Sequence, residues 1–263
     1  MNRIEAADDP RLSLYLNLRD RQLRSWHGLF LAEGNFVVER LIGSGLPLHS
    51  LLCADKRADK WIDRWPNPNT LLVAPDDVLE AAVGFALHQG VIAAAEIPQS
   101  TPLDKATNTN TLVVLPEITN VDNLGLIVRI AAGLGADALV LGPRCADPWY
   151  RRAVRLSMGT IFKLPIVRSD DLLVDLHALR ETHGYTTIGT ALRDDATPLH
   201  QAARPEKCAI LLGPEGDGLH EEHLAACDHV VTIPMHAGVD SLNVAVAAGI
   251  VLHHFAPHSN DTA

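Results

Sequence analysis

Three stretches of this chain carry the residues best suited to polar chemistry. In NVDNLGLIVRIAAGLG, Asn123 and Arg129 lie six residues apart in an apolar helical pattern. Asn123 reads as part of the helix start and Arg129 as well inside it. An Arg among Leu, Ile and Val is costly to bury unpaired, so it points at a cleft, a carboxylate or a phosphate, or it snorkels to the surface. In ILLGPEGDGL an apolar run leads into Gly213, Gly216 and Gly218 around Glu215. Glycines at the C-terminal end of a strand let backbone approach a ligand, and an ordinary turn with a solvated Glu uses the same residues. In IPMHAGVDSLNVAVAAGIVL an apolar helix starts through Ser241 and Asn243, both good helix caps. The last two stretches share one design, a backbone edge followed by polar groups at the start of a helix or turn. In open α/β sheets ligands bind at such strand ends, so two neighbouring loops of this kind would form one pocket.

Other patterns carry less. GLGADA, Gly133 to Ala138, fits a dinucleotide fingerprint in letters, but a helix precedes it and a strand follows, the reverse of what phosphate binding needs. It reads as a Gly-rich helix end. HEEH at His220 to His223 lacks the spacing of a zinc-protease motif, and no metal site is expected. Cys53, Cys145, Cys208 and Cys227 are far apart and read as reduced thiols in or near the core.

Elements of an α/β fold must position these groups. TPLDKATNTNT, Thr101 to Thr111, is rich in Thr, Asn and Pro and reads as a boundary. Before it, FVVERLIGSGLPLHSLLCA reads as helix, turn and strand, and NTLLVAP and GVIAAAEI as two more strands. After it, LVVLPEI, ALVLG, TTIGTAL, AILLGPE and VVTIPM are short unalternating apolar runs between helices. That pattern predicts a mostly parallel sheet covered on both faces. We expect two domains, 1–105 and 106–263.

The chain has 263 residues, 47% of them hydrophobic, which suits a globular protein with a real core. The amino terminus has no signal-type apolar core and Val244 to Leu252 is too short to span a bilayer, so a cytoplasmic protein without a membrane partner is expected. A formal charge of −10 argues against a nonspecific nucleic-acid binder. Its distribution is uneven. Arg144 to Arg168 holds six basic side chains and one acid, a net +5 that leaves −15 for the rest. The segment is either a solvated face or a phosphate-binding strip, with Arg144, Arg151 and Arg152 as its candidate phosphate contacts. Arg19, Arg21 and Arg24 beside Trp26 form a smaller basic group.

In order and spacing, NLGLIVRIAAGLGADALVLG, RLSMGTIFKLPIV, LLGPEGDGL and IPMHAGVDSLNVAVAAGIVL resemble the successive motifs of the SpoU (TrmH) family of the SPOUT class. RQLRSWHGLFLAEGNFVVERLIGSG and LHQGVIAAAEI are similar to the small N-terminal α/β substrate-binding domain of many members, whereas Val121-Asp122 departs from their Asp-Pro. The resemblance implies a mostly parallel sheet with a deep trefoil knot, a homodimer, and S-adenosyl-L-methionine as cofactor. It implies 2′-O-methylation of a ribose in structured RNA, ribosomal RNA first and transfer RNA second. Carried over by motif, Gly213, Ile233 and Leu242 contact the cofactor. Asn123, Arg129, Glu215, Ser241 and Asn243 surround the reaction centre. Arg129 stabilises developing alkoxide rather than acting as a base, because a guanidinium stays protonated at neutral pH. Asn123, Ser241 and Asn243 orient it and Glu215 pairs with it. Two alternatives are a non-catalytic RNA-binding dimer of the same fold, which the intact polar set argues against, and methylation of a base nitrogen.

Overall fold

The computed structural model describes residues 2–16, 20–84, 87, 89–236, 238–239 and 241–256. Arg19 and the side chain of Arg21 lie outside the described residues. The chain divides into two compact units, Met1–Gln99 with Pro148–Lys163, and Ser100–Asp147 with Leu164–Ala263. No helix among the described residues is long and apolar enough to cross a membrane.

The first unit holds strands β1 (Asn2–Arg3), β2 (Leu29–Glu33), β3 (Leu48–Ala54), β4 (Leu71–Ala74) and β5 (Val91–Glu96) in the order β1-β4-β3-β5-β2. The β1, β4 and β3 strands run parallel, and β5 is antiparallel to both β3 and β2. Its helices are α1 (Asp20–His27), α2 (Asn35–Ile42), α3 (Ala58–Ile62) and α4 (Asp76–Val83). All residues of β2 and β4 are buried; β4 reads as a continuous apolar run, while β2 ends in the buried Glu33. Leu31, Leu52, Leu72, Ile92 and Leu79 form its core.

The second unit opens with α5 (Leu103–Ala106), then β6 (Thr111–Leu115), α6 (Val121–Gly133) and β7 (Ala138–Leu141). Between β7 and β8 (Ile166–Arg168) runs α7 (Arg151–Leu156), whose segment belongs to the first unit. The second unit resumes with β8, α8 (Leu172–Glu181), β9 (Thr186–Thr190), β10 (Thr197–Pro198), β11 (Cys208–Leu211), α9 (Glu221–Ala225), β12 (His229–Thr232) and α10 (Val244–Phe255). The sheet order is β10-β12-β9-β11-β6-β7-β8 and every pairing is parallel. Leu112, Val114, Val140, Val167, Ala209 and Leu211 fill its core with Leu176 and Leu179 of α8. From β6 the chain moves toward β7 and β8; from β11 it moves the other way, to β12. The neighbours β6 and β11 thus flank a point where connections diverge, the place where open α/β sheets leave a crevice.

The five runs expected to form the parallel sheet are β6, β7, β9, β11 and β12. The Gly133–Ala138 stretch ends α6 and turns into β7, with Gly135 at φ 79°. A single cut after residue 105 does not describe the division, because Pro148–Lys163 packs with the first unit. The cause is local. Phe30 of β2 lies 4.9 Å from Trp149 and 5.7 Å from Phe162, ring centre to ring centre. Glu33, only 6% exposed, accepts from Arg151 at 2.9 Å and from Arg155 at 3.4 Å. A carboxylate buried that deeply needs such partners.

Candidate active site

The C-terminal ends of β6, β11 and β12 carry the site, all of it in the second unit. After β6, Asn120 caps α6 by accepting from the amides of Asp122 at 2.8 Å and Asn123 at 3.3 Å. That cap fixes the first turn and holds Asn123 inward, where it is 5% exposed. After β12, the cap of α10 is Asn243, whose Oδ1 accepts from the amides of Ala245 at 3.0 Å and Val246 at 3.3 Å.

Asn243 does more than cap. With its oxygen occupied, its Nδ2 donates to Asn123 Oδ1 at 3.0 Å and to Glu215 Oε1. Glu215 Oε1 also accepts from the Val244 amide at 3.4 Å. One carboxamide therefore ties together the loops after β6, β11 and β12. It leaves Asn123 with its Nδ2 donors and Glu215 with Oε2 as an acceptor.

Beside this network lies a cleft of 460 Å³. Gly213, Glu215, Ile233, Ser241 and Leu242 line it, so five of the expected site residues meet on one cavity. Its walls are apolar at Leu212, Leu219, Val231, Ala247 and Val251. Sequence reasoning missed Asn120 and Arg193. Asn120 carried a signal, a capping residue just before an apolar helical pattern. Arg193 lines the cleft and bonds Glu221 and Asp195, from a loop after β9 that sequence reasoning did not single out.

Two expectations, Ser241 as a cap of α10 and Glu215 as the partner of Arg129, need correction. Ser241 is exposed and lines the cleft without capping α10, which begins at Val244. Arg129 does not join the network: six residues on from Asn123 is about 240° around the helix and about 9 Å along it. Asn123 thus faces Asn243 while Arg129 is exposed, without an ion-pair partner among the described residues, and Glu215 bonds Asn243 instead of Arg129. Gly213 is required by its own loop. A Cβ there would fall 2.4 Å from the Gly218 carbonyl carbon and the Leu219 nitrogen, so the chain folds directly over it. Gly216 and Gly218 serve differently, at φ 90° and 68° with open space where a Cβ would stand.

The basic segment, finally, is shared between the two units. Arg144 follows β7 in the second unit and pairs with Glu117 at 2.9 Å. Arg151 and the exposed Arg152 begin α7 in the first unit, where Arg151 is bound to Glu33. Arg168 pairs with Asp147 at 3.3 Å. The four cysteines are free thiols, and burial pushes Cys53 and Cys227 up to about 12.

Comparison with known proteins gives this geometry its context. Residues 110–253 match the model of the SpoU rRNA Methylase family. An uncharacterized tRNA/rRNA methyltransferase of Mycobacterium bovis is 37% identical over 95% of this chain and 92% of its own. The 23S rRNA (guanosine(2553)-2′-O)-methyltransferase RlmP of Bacillus subtilis is 27% identical over 97% of this chain and 99% of its own. The crystal structure of the SpoU methyltransferase AviRb from Streptomyces viridochromogenes, in complex with the cofactor AdoMet, superposes with a TM-score of 0.78 at 27% identity. That alignment covers 94% of this chain and 96% of the other. The protein is an RNA methyltransferase. More particularly, the chain belongs to the SpoU rRNA methylase family.

Proposed function

We propose that the protein moves a methyl group from S-adenosyl-L-methionine to a ribose 2′-oxygen of ribosomal RNA, with transfer RNA as the second candidate substrate. The observation that carries this reading is the Asn123–Asn243–Glu215 network set against a cleft of 460 Å³. Ligand pockets for molecules of the cofactor's size hold roughly 300–1,000 Å³ and combine apolar walls with a few convergent polar groups. Glu215, Asp217, Glu221 and Arg193 line the cleft, three carboxylates and one guanidinium, so its formal charge is 1 − 3 = −2. That sign suits a cationic sulfonium ligand.

When bound, the cofactor supplies an electrophilic methyl group. The chain's residues do the rest. Gly213, Ile233 and Leu242 offer backbone to the cofactor. Asn123 Nδ2 and Glu215 Oε2 hold the ribose hydroxyl as donor and acceptor, and Ser241 adds a hydroxyl at the cleft wall. Fixing the attacking oxygen in line supplies much of the rate. Arg129, a permanent cation on the exposed face of α6, takes a substrate phosphate and so helps to place the RNA.

The same reading assigns RNA binding to the first unit and to Arg144, and a threaded, knotted course to the C-terminal segment. It also includes action in the cytoplasm as a homodimer. Val246 and Ile250 of α10, 52% and 40% exposed and one helical turn apart, are the apolar surface a second copy would cover.

Methyl-labelled cofactor and ribosomal RNA test the reaction. Label should accumulate in dinucleotides that resist alkaline hydrolysis, because a 2′-O-methyl group blocks that cleavage. Arg129→Ala should lower the single-turnover rate by about 10²-fold through misplaced RNA and leave cofactor affinity unchanged. Label appearing in a base, or none at all, would overturn the proposal.

A further inference from the structure

Arg193 is the only cationic side chain among the described residues lining the cleft, and three carboxylates share that lining with it. It stands on the loop after β9. Its Nε and Nη2 bond Asp195 at 2.9 and 3.2 Å, which fixes the plane of the guanidinium. Its Nη1 spans both oxygens of Glu221 at 3.0 Å each. The two contacts differ in setting. Glu221 itself lines the cleft, and its side chain is 84% exposed. An exposed ion pair of this kind is weakly held and exchanges readily for a better-placed acceptor. A guanidinium already oriented by one carboxylate is prepared to take another through two parallel N–H bonds.

Among the ligand groups that an acidic cleft could hold, the carboxylate is the one that needs a cation. We infer that Arg193 binds the α-carboxylate of the cofactor's amino-acid tail, exchanging Glu221 for it. The released Glu221, with Asp217 beside it on the lining, receives the α-ammonium. This pairs a zwitterion with a local charge pattern of opposite order. It makes Arg193 a binding residue that reads the tail and not the nucleoside. The inference rests on the reading of the cleft as the S-adenosylmethionine site.

The test compares two ligands by calorimetry. S-Adenosylhomocysteine carries the amino-acid tail; 5′-methylthioadenosine has the same nucleoside and thioether without it. Arg193→Gln should weaken S-adenosylhomocysteine by about tenfold or more and leave 5′-methylthioadenosine unchanged. Arg193→Lys, which keeps the charge but loses the fork, should recover part of the loss. Equal weakening of both ligands, or of neither, overturns the assignment while leaving the cleft as the cofactor site. A wild-type protein that binds neither ligand overturns that reading of the cleft and this assignment with it.

Discussion

Asn243 uses both ends of one carboxamide, the oxygen for the α10 amides and the nitrogen for Asn123 and Glu215. The two uses separate by mutation. In Asn243→Asp the capping oxygen remains and its charge suits a helix N-terminus, so any stability loss, about 1–3 kcal/mol, comes from the lost donor and the facing Glu215 and not from the cap. The donor is gone, and two carboxylates now face each other. Methyl transfer should fall by about 10²-fold or more, read in single-turnover assays beside urea melts. Asn243→Ala should lose the cap as well, about 1 kcal/mol. An Asp variant with the wild-type rate would remove the amide donors from the chemistry. At this scale the sequence displayed the right residue types but not their partners. Asn123, Glu215 and Asn243 lie 92 and 28 residues apart in the chain, and only the sheet order brings them together. Arg129 was drawn into the same set by its motif, yet helix geometry turns it away from Asn123.

Gly213 shows how an element can forbid a side chain without any ligand present. Ala at 213 sets a methyl carbon 2.4 Å from two backbone atoms of the same loop. Gly213→Ala should therefore open the loop, cost about 1–3 kcal/mol in urea unfolding and weaken cofactor binding together. Gly216→Ala meets open space and bears only the strain of φ 90°, about 1 kcal/mol. Similar losses in both variants would mean that the loop around Gly213 yields to a methyl group and that the close approach does not dictate glycine there. The strands β6, β7 and β11 were legible because each is a short apolar run buried on both faces, and β9 and β12 because short apolar runs there lie between helical segments. By contrast, β2 and β8 were not. β2 ends in a buried Glu33, which breaks the apolar signal, and β8 is three residues long. The helix α6 was legible because a polar start precedes a sustained apolar period.

All four tryptophans, Trp26, Trp61, Trp65 and Trp149, fall in the first unit, so tryptophan fluorescence follows that unit alone. Glu33→Ala removes the acceptor that binds Arg151 and Arg155 of α7. Those arginines keep access to water, with side chains 29% and 50% exposed, so the loss should be about 1–3 kcal/mol. It should appear as an earlier fluorescence transition in urea. A fluorescence midpoint equal to the wild type would mean that the ring contacts of Phe30 hold α7 by themselves. No composition break marks α7 as part of the first unit; the arrangement follows from a carboxylate and aromatic rings distant in sequence.

The chain passes between its two units three times, after Gln99, after Asp147 and after Lys163. The first unit is therefore not a cassette. A gene recombined by one crossover near residue 99 would join a foreign β2, with its own aromatic and acidic choices, to a native α7 shaped for Phe30 and Glu33. Such a chimera starts with a mismatched interior. A viable exchange must carry residues 1–99 and 148–163 together, or change Glu33 in step with Arg151 and Arg155.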